Sequence, residues 1–334
     1  MTQSFDELIA AIEPCRNVLV TTHVRPDGDA LGSAAAVHLA LKQKNIASRV
    51  LLLSHLPRKY AFVFEETGVE FVDVESGWPA NFTLDAYDAL LVVDTGTWSQ
   101  LPGLEQRVAA FKGRKLIVDH HLTQQDWADV KVVDTTAAAA GEIVEQVLKR
   151  WGVSIDRPIA MALFVAIASD TGWFAFSNTS PRTMRVAAEL MEVGVDTDRL
   201  YQLLYQNESA KRVALMGRAL QSLQLFAGDS LAVMVIRKQD FLETRAGVPD
   251  TENLINVPLQ VRTVEVSMLI TEPLDSGPVR ISLRSKGGVD VARFAEQFGG
   301  GGHARASGLK IQASLDEAQR QVVSAMLERL QSAG

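Results

Sequence analysis

Residues 17–32 have the sequence NVLVTTHVRPDGDALG, which predicts a strand, a turn and a helix in succession. The apolar start at residues 17–20 is typical of a buried parallel strand, and an Ala-rich helical stretch runs from Ala30 to about residue 42. His23, Asp27 and Asp29 therefore lie in a strand-to-helix turn at the carboxyl edge of a sheet, where open α/β sheets bind ligands. One imidazole and two carboxylates in such a turn can chelate a divalent cation.

The same turn also has a purely structural interpretation. Pro26 and Gly28 are common turn residues, and Asp29 fits the cap of the helix that follows. The turn alone does not separate the two interpretations, so the choice depends on the rest of the chain.

The composition indicates a folded protein of two domains. The chain has 334 residues, more than one core usually holds, and 47% of them are hydrophobic. Its one cysteine, Cys15, excludes a disulfide framework and favours a reducing compartment. No apolar run reaches the roughly 20 residues of a membrane helix, and the start, MTQSFDELIAAIEP, predicts an amphipathic helix without the features of a signal peptide. We therefore expect a soluble, cytoplasmic protein that does not bind membranes.

The net charge of −7 is unevenly distributed. Residues 211–334 carry 15 Lys and Arg against 13 Asp and Glu, a balance of +2, so residues 1–210 carry 18 against 27, a balance of −9. An acidic first part suits cation binding and a mildly basic second part suits a phosphorylated partner, although chance variation of the surface explains the difference equally well. The distribution does not fit a protein that binds duplex DNA along a strongly basic face.

Residues 17–135 alternate between apolar strands and helices. We predict strands at 18–22, 49–53, 70–74, 89–94, 116–119 and 130–133, with helices near 31–43, 57–66 and 103–112. This alternation predicts an α/β fold with a doubly wound, mostly parallel sheet. Helices follow at 137–151, 157–168, 181–194 and 198–206.

The chain becomes richer in strands after a change between about residues 190 and 225. We predict strands at 231–237, 264–271, 279–284 and 308–312, and a short helix at 290–298. A capping box that starts at Ser314 opens the last helix.

Three further segments place Asp or His at the end of an apolar element. Asp94 ends the strand LVVD, Asp119, His120 and His121 end the segment LIVDHH, and Asp170 ends an apolar helix. An Asp at the start of a turn is common, so each segment alone is compatible with an ordinary turn. Because parallel strands bring their carboxyl ends to one edge, these side chains are expected to converge with those of the first turn. The four segments together favour a metal site over coincidence.

These segments give the chain a resemblance to a known family. The chain resembles the DHH phosphoesterase family in an ordered set of residues: His23, Asp27, Asp29, Asp94, Asp119, His120, His121 and Asp170. The late segment GGGGHARASG, residues 299–308, resembles the DHHA1 nucleotide-binding motif, with Ser307 where many members have Ala. The resemblance covers about residues 15–325 and is closest to the nanoRNase/pAp phosphatase branch.

The resemblance implies two α/β domains with different tasks. A doubly wound DHH domain at 1–190 would bind metal and catalyse, a helical connector would occupy 191–225, and a smaller DHHA1 domain at 226–334 would bind substrate. In the family the second domain holds the substrate end distant from the metals, so the resemblance implies a preference for short substrates.

The resemblance also implies two Mn²⁺ ions, for which Mg²⁺ or Co²⁺ are substitutes. Six residues would hold them: His23, Asp27 and Asp94 one ion, and Asp29, Asp94, His120 and Asp170 the other. Imidazole and carboxylate ligands without thiolate suit such ions, and two ions about 3.5–4 Å apart can activate a water and stabilise charge on a phosphate. Asp119 is expected to orient a ligand histidine through its other ring nitrogen. His121 is expected to contact the scissile phosphate or protonate the leaving oxygen, so that Asp94, Asp119 and His121 are the candidate catalytic residues.

Substrate contacts are expected in the second domain. A glycine run alone fits a linker or a helix cap, but here His and Arg follow it, which favours backbone N–H groups that approach an anion closely. The expected contacts are Arg284, Ser285, Gly301, Gly302 and His303. Arg262 is a further candidate, although it also fits an ordinary surface arginine.

The leading hypothesis is a metal-dependent phosphoesterase that hydrolyses short single-stranded oligoribonucleotides and 3′-phosphoadenosine 5′-phosphate (pAp). A phosphodiesterase of cyclic di-AMP, or of linear dinucleotides such as pApA and pGpG, shares the same motifs. A non-catalytic nucleotide sensor would keep the fold without turnover. A family II inorganic pyrophosphatase would lack the glycine–histidine motif, and a RecJ-like exonuclease would be longer. Homodimers are common among such enzymes, although the sequence identifies no interface.

Overall fold

The structure is a computed structural model that describes residues 2–332 and the side chains of residues 5–331. Met1, Ala333 and Gly334, which the predicted domain boundaries include, lie outside the described residues. The chain divides into two units, Met1–Asn207 and Glu208–Gly334, each with its own six-stranded sheet. The division falls within the segment 191–225, for which a helical connector is predicted.

The sheet of the first unit is parallel throughout. Its strands are β1 (Asn17–Thr21), β2 (Ala47–Leu52), β3 (Phe71–Asp73), β4 (Ala89–Val93), β5 (Arg114–Asp119) and β6 (Val130–Val133). The strand order is β3-β2-β1-β4-β5-β6, so the direction of winding reverses between β1 and β4. Ligands of open α/β sheets bind at the carboxyl ends of the strands beside such a reversal. The predicted doubly wound α/β fold is confirmed.

The helices of the first unit cover both faces of this sheet. They are α1 (Thr2–Ile12), α2 (Gly28–Gln43), α3 (Ala61–Thr67), α4 (Glu105–Ala110), α5 (Ala140–Arg150), α6 (Arg157–Asp170), α7 (Pro181–Glu192) and α8 (Thr197–Tyr205). Small residues let α2 approach α6 closely, since a Cβ at Gly32 would lie 2.3 Å from the carbonyl oxygen of Ala162. This contact packs the helix that follows the first turn against the helix that ends at Asp170.

Helix α2 begins at Gly28, three residues earlier than predicted, because Asp27 caps it. Asp27 Oδ1 accepts hydrogen bonds from the backbone N–H groups of Asp29, at 3.0 Å, and Ala30, at 3.1 Å. The interpretation in which Asp29 caps this helix is therefore wrong. Asp29 instead lies in the first turn of α2 with its side chain fully buried.

The second unit has a mixed sheet in the order β11-β12-β10-β9-β8-β7. Its strands are β7 (Gln224–Phe226), β8 (Leu231–Ile236), β9 (Val266–Thr271), β10 (Val279–Ser285), β11 (Gly301–His303) and β12 (Ala306–Ile311). Its helices are α9 (Ala210–Gln221), α10 (Lys238–Thr244), α11 (Val291–Glu296) and α12 (Leu315–Ser332). One apolar core lies between α11, α12 and the sheet, and a smaller one lies under α9 and α10 on the other face.

Three elements of the second unit are not among those predicted, α10, β7 and β11, whereas α9 lies within the segment 191–225, for which a helical connector is predicted. Strand β11 consists of two glycines and His303, a composition with weak strand preference, and it forms by antiparallel pairing with β12. None of the helices in residues 2–332 is both long and apolar enough to span a membrane.

Candidate functional site

Four elements of the first unit end at the same edge of its sheet. His23 follows β1, Asp94 follows β4, His120 follows β5, and Asp170 is the last residue of α6. The structure brings all four into one cluster with Asp27 and Asp29 from the start of α2. We call these six residues the metal rim: His23, Asp27, Asp29, Asp94, His120 and Asp170.

The metal rim contains two groups of potential ligands. In the first, His23 Nε2 lies 3.4 Å from Asp94 Oδ2 and 3.9 Å from Asp27 Oδ1. Three potential ligand atoms, one each from His23, Asp27 and Asp94, lie within 4.8 Å of one another. This spacing allows all three to contact a single ion.

The second group surrounds His120. Its Nε2 lies 3.3 Å from Asp94 Oδ1, 3.6 Å from Asp170 Oδ2 and 3.7 Å from Asp29 Oδ2. Asp94 thus presents one carboxylate oxygen to each histidine of the rim, His23 and His120. The two groups share this carboxylate, in the arrangement that the resemblance implies for a bridging ligand.

Asp94 itself shows why a cation fits here. Its side chain is 2% exposed, yet Oδ1 is buried without a hydrogen-bond partner among the described residues. The distances of 3.3–3.7 Å from His120 to its three carboxylates exceed the about 2.7–2.9 Å of a charge-assisted hydrogen bond. Ligands at about 2.1 Å from a common octahedral ion are spaced more widely than such a bond. The backbone of Asp94 also has φ 62°, a conformation that costs free energy and is common at functional sites.

The carboxylate of Asp29 is held at the start of another helix. Its oxygens accept hydrogen bonds from the backbone N–H groups of Ala140, at 2.6 Å, and Gly141, at 2.9 Å, and from Ser33 Oγ at 3.1 Å. Helix α5 has no side-chain cap of its own, so Asp29 supplies one from α2. A negative charge at a helix N-terminus is stabilised by the helix dipole, which here fixes a potential metal ligand.

The electrostatics of the metal rim reflect crowded charges. Burial disfavours protonation of His23, but Asp94 and Asp27 outweigh it and raise its pKa to about 9. In the same way burial opposes the charge on His120, yet the carboxylates around it raise its pKa to about 10. Burial raises the pKa of Asp170 to about 6, and the charge of Asp94 adds to this effect. Burial also raises the pKa of Asp29 well above its usual value, and the charge of Asp94 again contributes. A divalent cation would offset this concentration of carboxylates.

Asp119 and His121 lie beside the metal rim and contact each other. His121 Nδ1 lies 2.8 Å from Asp119 Oδ1, and this hydrogen bond raises the pKa of His121. The expected orientation of a ligand histidine by Asp119 differs from what is observed, because His120 Nδ1 faces the carbonyl of Ala137 at 3.3 Å instead. Gln124 Nε2 donates to the other oxygen of Asp119 at 2.5 Å. His121 is half exposed, so its ring is accessible to a substrate.

A cavity of about 710 Å³ lies on the second sheet, on the face opposite α11 and α12. Three basic residues line it, Arg280, Arg284 and Lys310, together with one acidic residue, Glu252. The glycines of β11 and of the preceding loop, residues 299–301, form part of its wall. We call this cavity the basic pocket, since its charged lining suits an anion.

The other predicted substrate residues have different surroundings. Ser285 is buried, and its hydroxyl accepts hydrogen bonds from the backbone N–H groups of Gly287, at 3.0 Å, and Val289, at 3.4 Å. Gly302 has φ +142°, and a Cβ there would lie 2.5 Å from the carbonyl oxygen of Ala306, so the pairing of β11 with β12 requires glycine. His303 is exposed at the end of β11, and Arg262 is exposed outside the pocket lining.

Several residues around these sites are absent from the sequence-based predictions. Arg280 and Lys310 belong to the basic pocket, and the alternation Arg280-x-Ser282-x-Arg284 is a signal that would have placed both arginines on one face of a strand. The contact of Ala140 and Gly141 with Asp29 has no signal in the sequence, because it is made by their backbone N–H groups and not by their side chains.

Comparison with known proteins identifies the family of the chain. The model of the N-terminal domain of the DHH family matches residues 17–167, and the model of the DHHA1 domain matches residues 230–332. The chain is 30% identical over 329 residues to the bifunctional oligoribonuclease and PAP phosphatase NrnA of Thermus thermophilus, covering 98% of this chain and 94% of that protein. The chain belongs to the DHH family.

Two further relatives are similar over nearly the whole chain. The bifunctional oligoribonuclease and PAP phosphatase NrnA of Bacillus subtilis is 28% identical, over 94% of this chain and 95% of its own length. The crystal structure of an exopolyphosphatase-related protein from Bacteroides fragilis superposes with a TM-score of 0.87 at 24% identity, covering 100% of this chain and 98% of that one. The similarity to the Bacteroides protein is evidence for the fold alone.

Proposed function

We propose that the protein is a Mn²⁺-dependent phosphoesterase that hydrolyses short oligoribonucleotides and pAp. The observation that carries this proposal is the buried carboxylate of Asp94, whose two oxygens lie 3.4 Å from His23 Nε2 and 3.3 Å from His120 Nε2, the histidines of the two ligand groups. A carboxylate between two groups of imidazole and carboxylate donors suits two divalent cations. The names of the Thermus and Bacillus relatives support the choice of substrate.

The proposed ligands are the six residues of the metal rim. His23, Asp27 and Asp94 hold one ion, and Asp29, Asp94, His120 and Asp170 hold the other. When bound, the ions supply a nucleophilic water and neutralise charge on the attacked phosphate. Mn²⁺ is the proposed ion because the donors are nitrogen and oxygen without thiolate, and Mg²⁺ and Co²⁺ are expected to substitute with lower activity.

His121 is the proposed proton donor to the leaving oxygen. Its Nδ1 is held by Asp119 at 2.8 Å, which leaves Nε2 for the substrate. Asp119 also raises the pKa of His121 and so favours the protonated ring. Because Asp119 itself is buried and bound by Gln124, it orients His121 without contacting the substrate.

The basic pocket is the proposed site for the part of the substrate that is not hydrolysed. Arg284 offers a guanidinium for a phosphate, and Gly301 offers backbone close to the ligand. His303 is not part of the pocket lining, but it is exposed on β11, the strand that begins with Gly301, and is proposed to offer a ring for a base or phosphate. A second binding site for the part of the substrate that is not hydrolysed is expected to favour substrates of a few nucleotides. We expect no affinity for duplex DNA. The single buried thiol, Cys15, agrees with a proposed location in the cytoplasm.

A panel of substrates tests this function. Purified protein with Mn²⁺ is incubated with labelled RNA of two to five nucleotides, pAp, cyclic di-AMP and pGpG, in parallel with a chelator-treated sample. Release of mononucleotide or phosphate from the short RNA and pAp, lost on chelation, is expected. Cleavage of cyclic di-AMP or pGpG alone would instead identify a dinucleotide phosphodiesterase. Binding without turnover of any of them would identify a nucleotide sensor and contradict the proposal.

A further inference from the structure

One short segment of the first unit contacts two residues of the metal rim, Asp29 and His120, through its backbone. Residues 134–142, DTTAAAAGE, connect β6 to the first turn of α5. The carbonyl of Ala137 faces His120 Nδ1 at 3.3 Å, and the N–H groups of Ala140 and Gly141 hold the carboxylate of Asp29. These contacts set which nitrogen of His120 and which oxygens of Asp29 face the ions.

A further contact links the segment to Asp170. The side-chain nitrogen of Asn178 donates to the carbonyl of Ala138 at 3.0 Å and to the carbonyl of Asp170 at 3.1 Å. Two of the six residues of the metal rim thus contact residues 137–141 directly, and the backbone of Asp170 is linked to them through Asn178.

The middle of this segment has no polar side chain with which to hold itself in place. Residues 137–140 are alanines, and α5 lacks a side-chain cap from its own N-terminus. The polar side chains that anchor the segment lie at its ends, where Asp134 and Glu142 are buried. Asp134 also accepts hydrogen bonds from the backbone N–H and the hydroxyl of Thr136, at 3.0 Å and 2.6 Å.

Arg182 joins the two ends. Its Nη1 donates to Asp134 Oδ2 and its Nε donates to Glu142 Oε2, each at 2.8 Å. The planar guanidinium fixes the angle between these two bonds, which a lysine ammonium would not. Arg182 itself is in the first turn of α7, which begins with a capping box between Ser180 and Thr183. The side chain that bridges Asp134 and Glu142 therefore comes from a helix N-terminus that a capping box stabilises.

We propose that Arg182 is a positioning residue of the metal centre, which fixes the segment 134–142 and through it the metal-facing atoms of Asp29 and His120. The hydrogen bonds and ion pairs of Arg182 go to Asp134 and Glu142 and not to a residue of the metal rim, so the proposed effect acts through this segment. The inference rests on the proposed function only in assuming that the rim binds Mn²⁺, and it does not depend on which substrate is hydrolysed.

The test is a calorimetric titration of Mn²⁺ into the metal-free full-length protein. Arg182→Gln is expected to weaken Mn²⁺ binding about 10- to 100-fold, the range observed when groups that orient metal ligands are removed. Arg182→Lys, which can satisfy only one of the two carboxylates at the proper angle, is expected to recover part of the affinity. Arg150→Gln is the matched control: Arg150 ends the same helix α5 and makes two hydrogen bonds to Asp6, at 2.6 Å each, on the surface. This control is expected to bind Mn²⁺ within about twofold of the wild type.

A second variant covers the case in which Arg182→Gln fails to fold, because it leaves two buried carboxylates without a cation. Arg182→Met combined with Glu142→Gln removes the cation and one carboxylate together, and circular dichroism checks that it folds. Weakened Mn²⁺ binding in this folded double variant would support the proposal, and wild-type affinity in it would overturn the proposal. An absence of Mn²⁺ binding in the wild type would also overturn it. Mn²⁺ binding without hydrolysis of any nucleotide would contradict the proposed function and leave the role of Arg182 to be decided by the affinities alone.

Discussion

The metal rim and the basic pocket differ in how firmly their charged groups are held. In the rim, Asp29 and Asp94 are almost completely buried, and Asp29 has three hydrogen bonds from its surroundings. In the pocket, Arg280 and Lys310 are exposed, and Arg284 donates to the carbonyl of its neighbour Leu283. The rim contains buried side chains that hydrogen bonds hold in place, whereas the pocket contains exposed side chains.

This difference indicates where each part of the free energy of catalysis arises. Carboxylates that are already crowded together and held in place need little reorganisation to bind a cation. In the proposed reaction they would therefore help to stabilise the transition state. Exposed cationic side chains must be ordered when a ligand binds, so they contribute mainly to affinity. Changes in the rim should therefore affect kcat and metal binding, whereas changes in the pocket should affect KM.

The largest effect is expected for Asp94→Asn. Asparagine tolerates the φ of 62° and keeps the shape of the side chain, but it removes the charge shared by the two ligand groups. We expect kcat/KM for a short oligoribonucleotide to fall at least about 1,000-fold, with fewer Mn²⁺ ions bound per chain. Steady-state kinetics and metal analysis of the purified variant check this.

A surface carboxylate of the same unit provides the control for that experiment. Asp126 is paired with Lys131 at 2.8 Å and is 95% exposed. Asp126→Asn is expected to keep the activity of the wild type within about twofold. An Asp94→Asn protein as active as this control would show that the shared carboxylate is not part of the active site.

The second effect concerns pH and applies to the rim alone. In the metal-free protein the pKa of His23 is about 9 and that of His120 is about 10, so both rings carry a proton at neutral pH. Mn²⁺ binds the neutral ring and must displace these protons. The affinity should therefore rise as the pH rises, by about 10- to 100-fold between pH 7 and pH 8.

Calorimetry in buffers of different ionisation enthalpy measures this release directly. We expect about two protons to leave per chain at pH 7 when the rim fills with Mn²⁺, one from each of the two histidines. Asp170, with a pKa of about 6, adds a further proton only below that pH. An affinity that is unchanged across this range would mean that the two histidines are not ligands.

The position of the metal rim could be predicted from the sequence because four of its six side chains lie at or just after the end of a regular element. His23, Asp94 and His120 come after parallel strands, and the topology of such sheets requires their ends to meet. The contacts that orient these side chains could not be predicted. Asp29 caps α5 by accepting hydrogen bonds from the backbone N–H groups of Ala140 and Gly141. These two residues are distant from Asp29 in the sequence, and no sequence pattern indicates the contact.

The second unit was less predictable for a related reason. The glycines near residue 300 indicate freedom of the backbone, and that freedom serves two purposes: Gly301 lines the basic pocket, while Gly302 permits β11 to pair with β12. Sequence alone did not separate the two. In the same way, Ser285 follows Arg284 in a motif-like pair, yet successive residues of a strand point to opposite faces.

The third effect is expected in the basic pocket. Replacing Arg284 or His303 by Ala should raise KM for a dinucleotide about 10-fold, with kcat within about threefold of the wild type, because a charge-assisted contact to the bound substrate is lost. Mn²⁺ affinity should stay unchanged, which separates the pocket from the rim. Arg293→Ala is the control, since Arg293 is exposed on α11 and lies 3.6 Å from Asp290. A fall in kcat with unchanged KM would contradict the division of tasks between the two sites.

The smallest effect separates two roles for Ser285 within the second unit. Its hydroxyl is 6% exposed and accepts hydrogen bonds from Gly287 and Val289, so it closes the turn after β10. Ser285→Ala is expected to lower the free energy of unfolding by about 1 kcal/mol, because the hydrogen bonds to the two N–H groups are lost. KM should remain within about twofold of the wild type, since the hydroxyl is buried and bonded to the backbone of the turn. Urea unfolding and kinetics on the same preparation check both values. A tenfold rise in KM without loss of stability would instead make Ser285 a substrate contact, as the sequence predicts, and would require the turn after β10 to open when substrate binds.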